Sequence, residues 1–144
     1  MDWNLEQQLA IRTLVAALLG GVIGLERLWQ RREAGVRTYA SVAMGACVFS
    51  LISQHIPGGD PARLAAGIVT GIGFLGAGAI VQRGAKAHGL TTAATIWVTA
   101  AIGTAVGFGL YGLSIVSTVV VVLILVAHYV PWLHPSDPPE NRRE

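Results

Sequence analysis

Few residues in this chain of 144 could carry chemistry. Glu26 and Arg27 stand side by side directly after an apolar run that ends at Leu25, and Arg37 directly precedes the next run, which begins at Thr38. An acid and a guanidinium facing each other across such a hairpin can pair. A Glu26–Arg37 pair would hold two helix ends together and form a polar site at the membrane boundary. Asp60 and Arg63 are a second acid–base couple. Asp60 before Pro61 has the pattern of an N-cap followed by proline at the first helical position. His55, His88, His128 and His134 are scattered over loops and run ends. There is no Ser-His-Asp set, no pair of carboxylates and no metal-ligand spacing of histidines, so the expectation is a non-enzyme that needs no cofactor. A Mg²⁺ ion needs an octahedron of oxygens. Glu26 and Asp60 fall at opposite ends of one run, cannot share an ion, and assign no metal site.

The elements that must position these residues follow from the distribution of charge. Only 12% of residues are charged and 53% are hydrophobic, against roughly 25% charge in a soluble domain. No Asp, Glu, Lys or Arg occurs from Thr38 to Gly59, from Leu64 to Gln82, or from Ala87 to Ser136. A helix needs about 20 largely apolar residues to cross a bilayer. These runs predict an all-α membrane protein with five transmembrane helices, at about 9–25, 38–53, 61–82, 92–106 and 113–129. They form one domain over 1–130, followed by a short polar tail over 131–144. The last run is 50 residues long and divides best at Phe108-Gly-Leu-Tyr-Gly112, where glycines and aromatics cluster as at an interface. Gly89 can end one helix, and Thr91 or Thr92 can cap the next. Asp2 and Glu6 precede the first run where a signal peptide would be basic, so that segment is expected to stay. Cys47 lies inside an apolar run and reads as a small buried side chain.

Five spans place the termini on opposite sides. Of the ten Lys and Arg residues, eight lie in 26–37, 83–89 and the tail. The exceptions are Arg12, which could snorkel to the interface, and Arg63. The positive-inside rule then puts the N-terminus outside and the C-terminus in the cytoplasm, with Trp29 and Trp132 in an aromatic belt. The pI of about 9.1 rests on a net charge of only +2, and the basic residues flank apolar runs. The partner is therefore the lipid bilayer, and no nucleic acid is expected.

Glycine is the other signal. Gly20 and Gly24, Gly67 and Gly71, and Gly103 and Gly107 have the small-xxx-small spacing that lets membrane helices approach. Gly73, Gly76 and Gly78 extend the set in the third span. All nine are assigned to helix packing, with the alternative of a third helix broken around a cavity. The string Gly71-Ile-Gly-Phe-Leu-Gly76 matches a dinucleotide fingerprint by letter only, since it lacks the strand before it and the acid after it. Thr70-Gly-Ile-Gly-Phe74 likewise lacks the context of an ion filter.

Gly24-Leu-Glu-Arg27, Ala34-Gly-Val-Arg-Thr38, Asp60-Pro-Ala-Arg63, Gly71-Ile-Gly-Phe-Leu-Gly-Ala-Gly78 and Gly89-Leu-Thr-Thr-Ala-Ala-Thr-Ile-Trp97 occur in that order. Over roughly residues 10–125 the chain resembles the MgtC/SapB family of bacterial inner-membrane proteins. The resemblance implies a five-span, multi-pass inner-membrane domain linked to magnesium limitation and stress adaptation. It also implies regulation of another membrane complex, such as the F-type ATP synthase. By motif position it marks Glu26, Arg27, Arg37, Thr38, Asp60, Arg63 and Thr92 as functional polar residues. Gly67 stands where the family commonly has Gln, and Thr91 where Asn is known. The chain also resembles a short member without the family's C-terminal soluble domain.

Two functions follow as expectations. One is a non-enzymatic regulator that acts through helix packing on a partner or a second copy, which Gly67→Leu or Gly103→Leu should disrupt. The other is a homo-oligomeric channel or transporter for Mg²⁺ or another cation. A subunit this small would need a dimer or larger ring to enclose a path, and Glu26→Gln would then change flux.

Overall fold

A computed structural model describes residues 3–83 and 86–127; the side chains of 81–83 and of Lys86 lie outside that description, as do Trp132 and the tail 131–144. In order come α1 (Trp3–Trp29), α2 (Val36–His55), α3 (Pro61–Gly78), β1 (Val81–Arg83), β2 (Lys86–His88), α4 (Leu90–Gly107) and α5 (Tyr111–Ala127). The first three helices and α4 are each long and apolar enough to cross a membrane, and α5 is a shorter apolar helix of 17 described residues. At 1.5 Å per residue, α2 is about 30 Å long, the thickness of a bilayer core.

The helix ends depart from the sequence expectation in ways that matter for the site. The first helix runs on to Trp29, so Glu26 and Arg27 belong to its last turn rather than to a loop. Beyond Trp29, Arg32 N donates to Arg27 O (3.0 Å) and Arg31 N donates to Leu28 O (2.9 Å). This is a Schellman ending with Arg31 in the left-handed region at φ 54°, a place usually held by glycine. The third helix stops at Gly78, four residues early. The following segment, expected as helix end and loop, forms a two-stranded antiparallel hairpin pairing Val81 with His88. Neither threonine caps α4. Its N-cap is Gly89 at φ 87°, where a side chain would strike the carbonyl of Ala79, and no side-chain cap is made. Asp60 does cap α3, accepting from the amides of Ala62 (3.0 Å) and Arg63 (3.1 Å), with Pro61 at the first position. Such a cap stabilises by about 1 kcal/mol. The long apolar run divides at Phe108–Leu110.

The second helix is the centre of the bundle, packed broadly against α1 and α4; α5 lies on α4 and α1, and α3 leans mainly on α4. Ile23, Tyr39, Ala46, Ile96, Ala100 and Ile102 form one buried cluster, and Ala16, Ala43, Cys47, Leu51 and Val106 another. Hydroxyls inside the bundle are satisfied locally. Ser50, Thr99, Ser114 and Thr118 each donate to the carbonyl four residues back, as a dry interior requires.

Four of the predicted glycines form the seams. A Cβ on Gly20 would collide with the carbonyl of Tyr39, and one on Gly24 would come within 2.6 Å of the Val36 Cα. A Cβ on Gly103 would overlap the carbonyl of Ala43, and one on Gly107 would lie 2.6 Å from the Ser50 Cβ. The glycines of α3 do otherwise. Gly76 only approaches Ala93 (3.8 Å), while Gly67, Gly71, Gly73 and Gly78 have nothing within 4 Å of a Cβ. Those four make no close seam with a neighbouring helix, and Gly67 and Gly71 border the groove between α2 and α3. Of the α3 span, 11% is buried, against 56% of the α4 span.

Candidate functional site at the arginine-rich end

The close approach at Gly24 brings the last turn of α1 onto the first turn of α2, and this buries two charges. Glu26 is 7% exposed and Arg27 is 2% exposed. The Arg27 Nη1 lies 3.7 Å from Glu26 Oε2. Gln30, one turn on, donates to Glu26 Oε1. Arg37 is exposed and does not pair with Glu26, contrary to the hairpin expectation. The reason is steric: with α1 a turn longer than expected, Glu26 finds its partners on its own helix.

The pair is incompletely satisfied. Glu26 Oε2 and Arg27 Nε are buried and make no hydrogen bond within the chain. Buried charges without full hydrogen bonding are expensive. In a membrane protein such groups mark functional positions more often than structural ones.

Next to the pair is a hydroxyl relay. Tyr39, fully buried on α2, lies 2.6 Å from Thr95 Oγ1 on α4. Thr95 donates its one hydroxyl proton to Thr91 O (2.9 Å) or Thr92 O (3.0 Å). Tyr39 must therefore be the donor between the two hydroxyls. The charges of Glu26 and Arg27 both act on Tyr39. The relay ties α2 to α4 at the level of the ion pair.

Beside this cluster opens a cavity of about 550 Å³ between the N-termini of α2 and α4, to which Thr38 and Thr92 both contribute. So the structure gathers four of the predicted polar residues, Glu26, Arg27, Thr38 and Thr92, at one end of the bundle. Asp60 and Arg63 belong to the opposite end, one length of α2 away, at the mouth of a largely apolar groove of about 810 Å³ between α2 and α3. They form no ion pair; Asp60 is occupied by capping. Among the described residues, no group of three His, Cys, Asp or Glu could hold a metal ion.

Sequence reasoning missed two features. Tyr39 is a hydroxyl inside an apolar run, which was the available signal. Arg12 was expected to snorkel, but its Nη1 donates to Gly107 O (3.1 Å), the last carbonyl of α4. Gln54 of α2 donates to the same oxygen (3.0 Å). A charge and an amide, each alone in an apolar stretch, here tie three helices together.

Buried polar clusters at the ends of long apolar helices define a multi-pass membrane protein. Residues 13–131 match the profile of the MgtC family, and the chain belongs to that family. It is 45% identical over 125 residues to YhiD of Escherichia coli K12, provisionally named a magnesium transporter, covering 80% of this chain and 58% of that one. It is 48% identical over 111 residues to Protein MgtC of Salmonella typhimurium, covering 77% and 48%. An uncharacterised Synechocystis protein, slr0014, is 41% identical over 130 residues, covering 88% and 53%. The chain thus spans about half the length of the curated relatives it matches. No solved structure matches it.

Proposed function

We propose that this chain is a non-enzymatic regulator in the bacterial inner membrane, linked to magnesium limitation or stress adaptation. It would act by packing α3 against another membrane complex or a second copy of itself. The observation that supports this most is that Gly67, Gly71 and Gly78, which fall on one side of α3 at about 3.6 residues per turn, have nothing within 4 Å of a Cβ. Small residues are what membrane helices use to meet, because lipid tails supply no hydrophobic drive between them. Membership of the MgtC family supports the link to magnesium, and the family resemblance offers the F-type ATP synthase as a partner to test. The orientation by the positive-inside rule has the N-terminus outside. It places the Glu26 cluster at the cytoplasmic face.

The test is crosslinking in native membranes from cysteines placed on α3. Adducts are expected with the wild-type helix and lost with Gly67→Leu and Gly71→Leu. A Cβ at either position meets nothing within 4 Å, and thermal unfolding of each variant in detergent checks that it folds. Gly103→Leu, by contrast, is unsuitable because that glycine faces Ala43. Adducts that survive both substitutions would overturn the reading.

A second reading, a cation-conducting oligomer, is favoured by the groove between α2 and α3. The groove wall is mostly apolar, with Asp60 and Arg63 confined to its mouth, which suits packing better than ion passage. Flux in proteoliposomes that is lost with Glu26→Gln would reverse that order.

A further inference from the structure

We infer that the cavity at the arginine-rich end is a binding site for a phosphate-type oxyanion. Its rim carries Arg31, Arg32 and His88 against a single acid, Glu33. A volume of about 550 Å³ falls in the range of small-molecule pockets, roughly 300–1,000 Å³. Guanidinium forks match phosphate oxygens in geometry and charge.

The walls add donors of the same sense. The helices α2 and α4, of 20 and 18 residues, both begin at this cavity, and both have glycine N-caps that make no side-chain cap. Their first amides are left for an outside acceptor, and the two helix dipoles place partial positive charge there. The contrast within the chain is α3, whose amides are taken by Asp60. Thr38 and Thr92 supply hydroxyls. Thr13, Thr70, Thr95, Thr99, Thr104 and Thr118 each bond the carbonyl four residues back. Thr38 and Thr92 sit in first turns, and among the described residues their hydroxyls bond to nothing. Arginines, free amides and free hydroxyls therefore converge on one space, and all of them donate.

The same chemistry has two sources. Leu75 and Ile96 make part of the floor apolar, which suits the phosphate of an anionic lipid; the cytoplasmic leaflet is rich in such lipids. A soluble polyphosphate offers the same oxygens without the tail. The cavity shares Val42 and Leu75 with the groove that Gly67 and Gly71 border, but none of its donors lies on α3, so loss of anion binding and loss of α3 crosslinks are separate outcomes.

The test is native mass spectrometry of the full chain released from detergent. The probes are phosphatidylglycerol, phosphatidylcholine and inorganic pyrophosphate. The discriminating variant is Arg31→Gly with Arg32→Gln. Glycine suits the left-handed backbone at position 31, so the turn is kept while both charges go. Retention of phosphatidylglycerol or pyrophosphate should fall about tenfold. Thr92→Val, which changes no charge, should lower it about threefold. Arg37→Gln removes a cation from the same helix end but outside the cavity, and should leave retention unchanged. Retention of phosphatidylglycerol that pyrophosphate does not displace identifies the lipid headgroup as the source. Displacement, or pyrophosphate binding alone, identifies a soluble phosphate. Equal retention of phosphatidylcholine, binding of neither anion, or equal retention by the double variant and wild type would overturn the proposal.

Discussion

Gly103 of α4 lies flat on the carbonyl of Ala43 in α2, leaving no space between the helices for one added carbon. The other side of Ala43 meets Gly20 of α1, where a Cβ would come within 2.8 Å of the Ala43 Cβ. One alanine is thus clasped between glycines of two neighbours. Gly103→Ala should lower stability by about 1–3 kcal/mol or more, as overpacking does, because the obstructing atoms are backbone and cannot rotate away. Thermal unfolding in detergent measures this. Gly67→Ala, with open space at its Cβ, should leave the midpoint unchanged apart from the small helix-propensity gain. Equal destabilisation at the two positions would contradict the packing described.

The Glu26–Arg27 pair predicts an asymmetry. Glu26→Gln leaves the Arg27 charge buried without its counterion and should destabilise by about 3 kcal/mol. Replacing both, with Glu26→Gln and Arg27→Met, should recover most of that loss. A double variant as unstable as the sum of its parts would show that the two charges act separately.

Tyr39→Phe removes the proton donor of the inter-helix hydroxyl bond. Such bonds average about 0.6 kcal/mol in membrane bundles, with a maximum near 1.7. A double-mutant cycle with Thr95→Val should return a coupling in that range. A coupling of zero would mean that the 2.6 Å contact contributes nothing to stability.

Arg12 and Gln54 donate to one oxygen, so their losses should not add. Either Arg12→Met or Gln54→Leu leaves the carbonyl of Gly107 with one donor, and only the pair strips it. The double variant should therefore lose more than the sum of the singles, by about 1 kcal/mol.

Asp60→Ala should destabilise by about 1 kcal/mol through loss of the α3 cap. The effect should appear as fraying of the Pro61 end in hydrogen exchange. Asp60→Asn should be nearly silent, because its carbonyl can accept the same two amides.

Much of this was legible in the residues. Charge-free runs mark helices because backbone in lipid must bond to itself, and no other local structure does so. Asp60-Pro61 marks a helix start for the same reason that caps exist. The glycine spacing identified helix seams but could not say which were used inside the chain. Gly103 and Gly67 have the same spacing to their partners, and only the fold decides that one is pressed on Ala43 and the other borders the open groove between α2 and α3. The Glu26 pairing was misread because the length of α1 was. Helix ends are set by turns such as the one at Arg31, where the sequence carries no glycine to announce it. The bond from Arg12 spans 95 positions, beyond any local pattern.

The open face of α3 has a consequence for how this chain can change. A methyl group at Gly67, Gly71 or Gly73 would meet no atom within 4 Å, so folding places no steric restraint on a first added carbon there. Those positions can gain a small side chain while α1, α2 and α4 keep their fit. The exposed side of α3 is thereby separated, residue by residue, from the interior that makes the molecule stand.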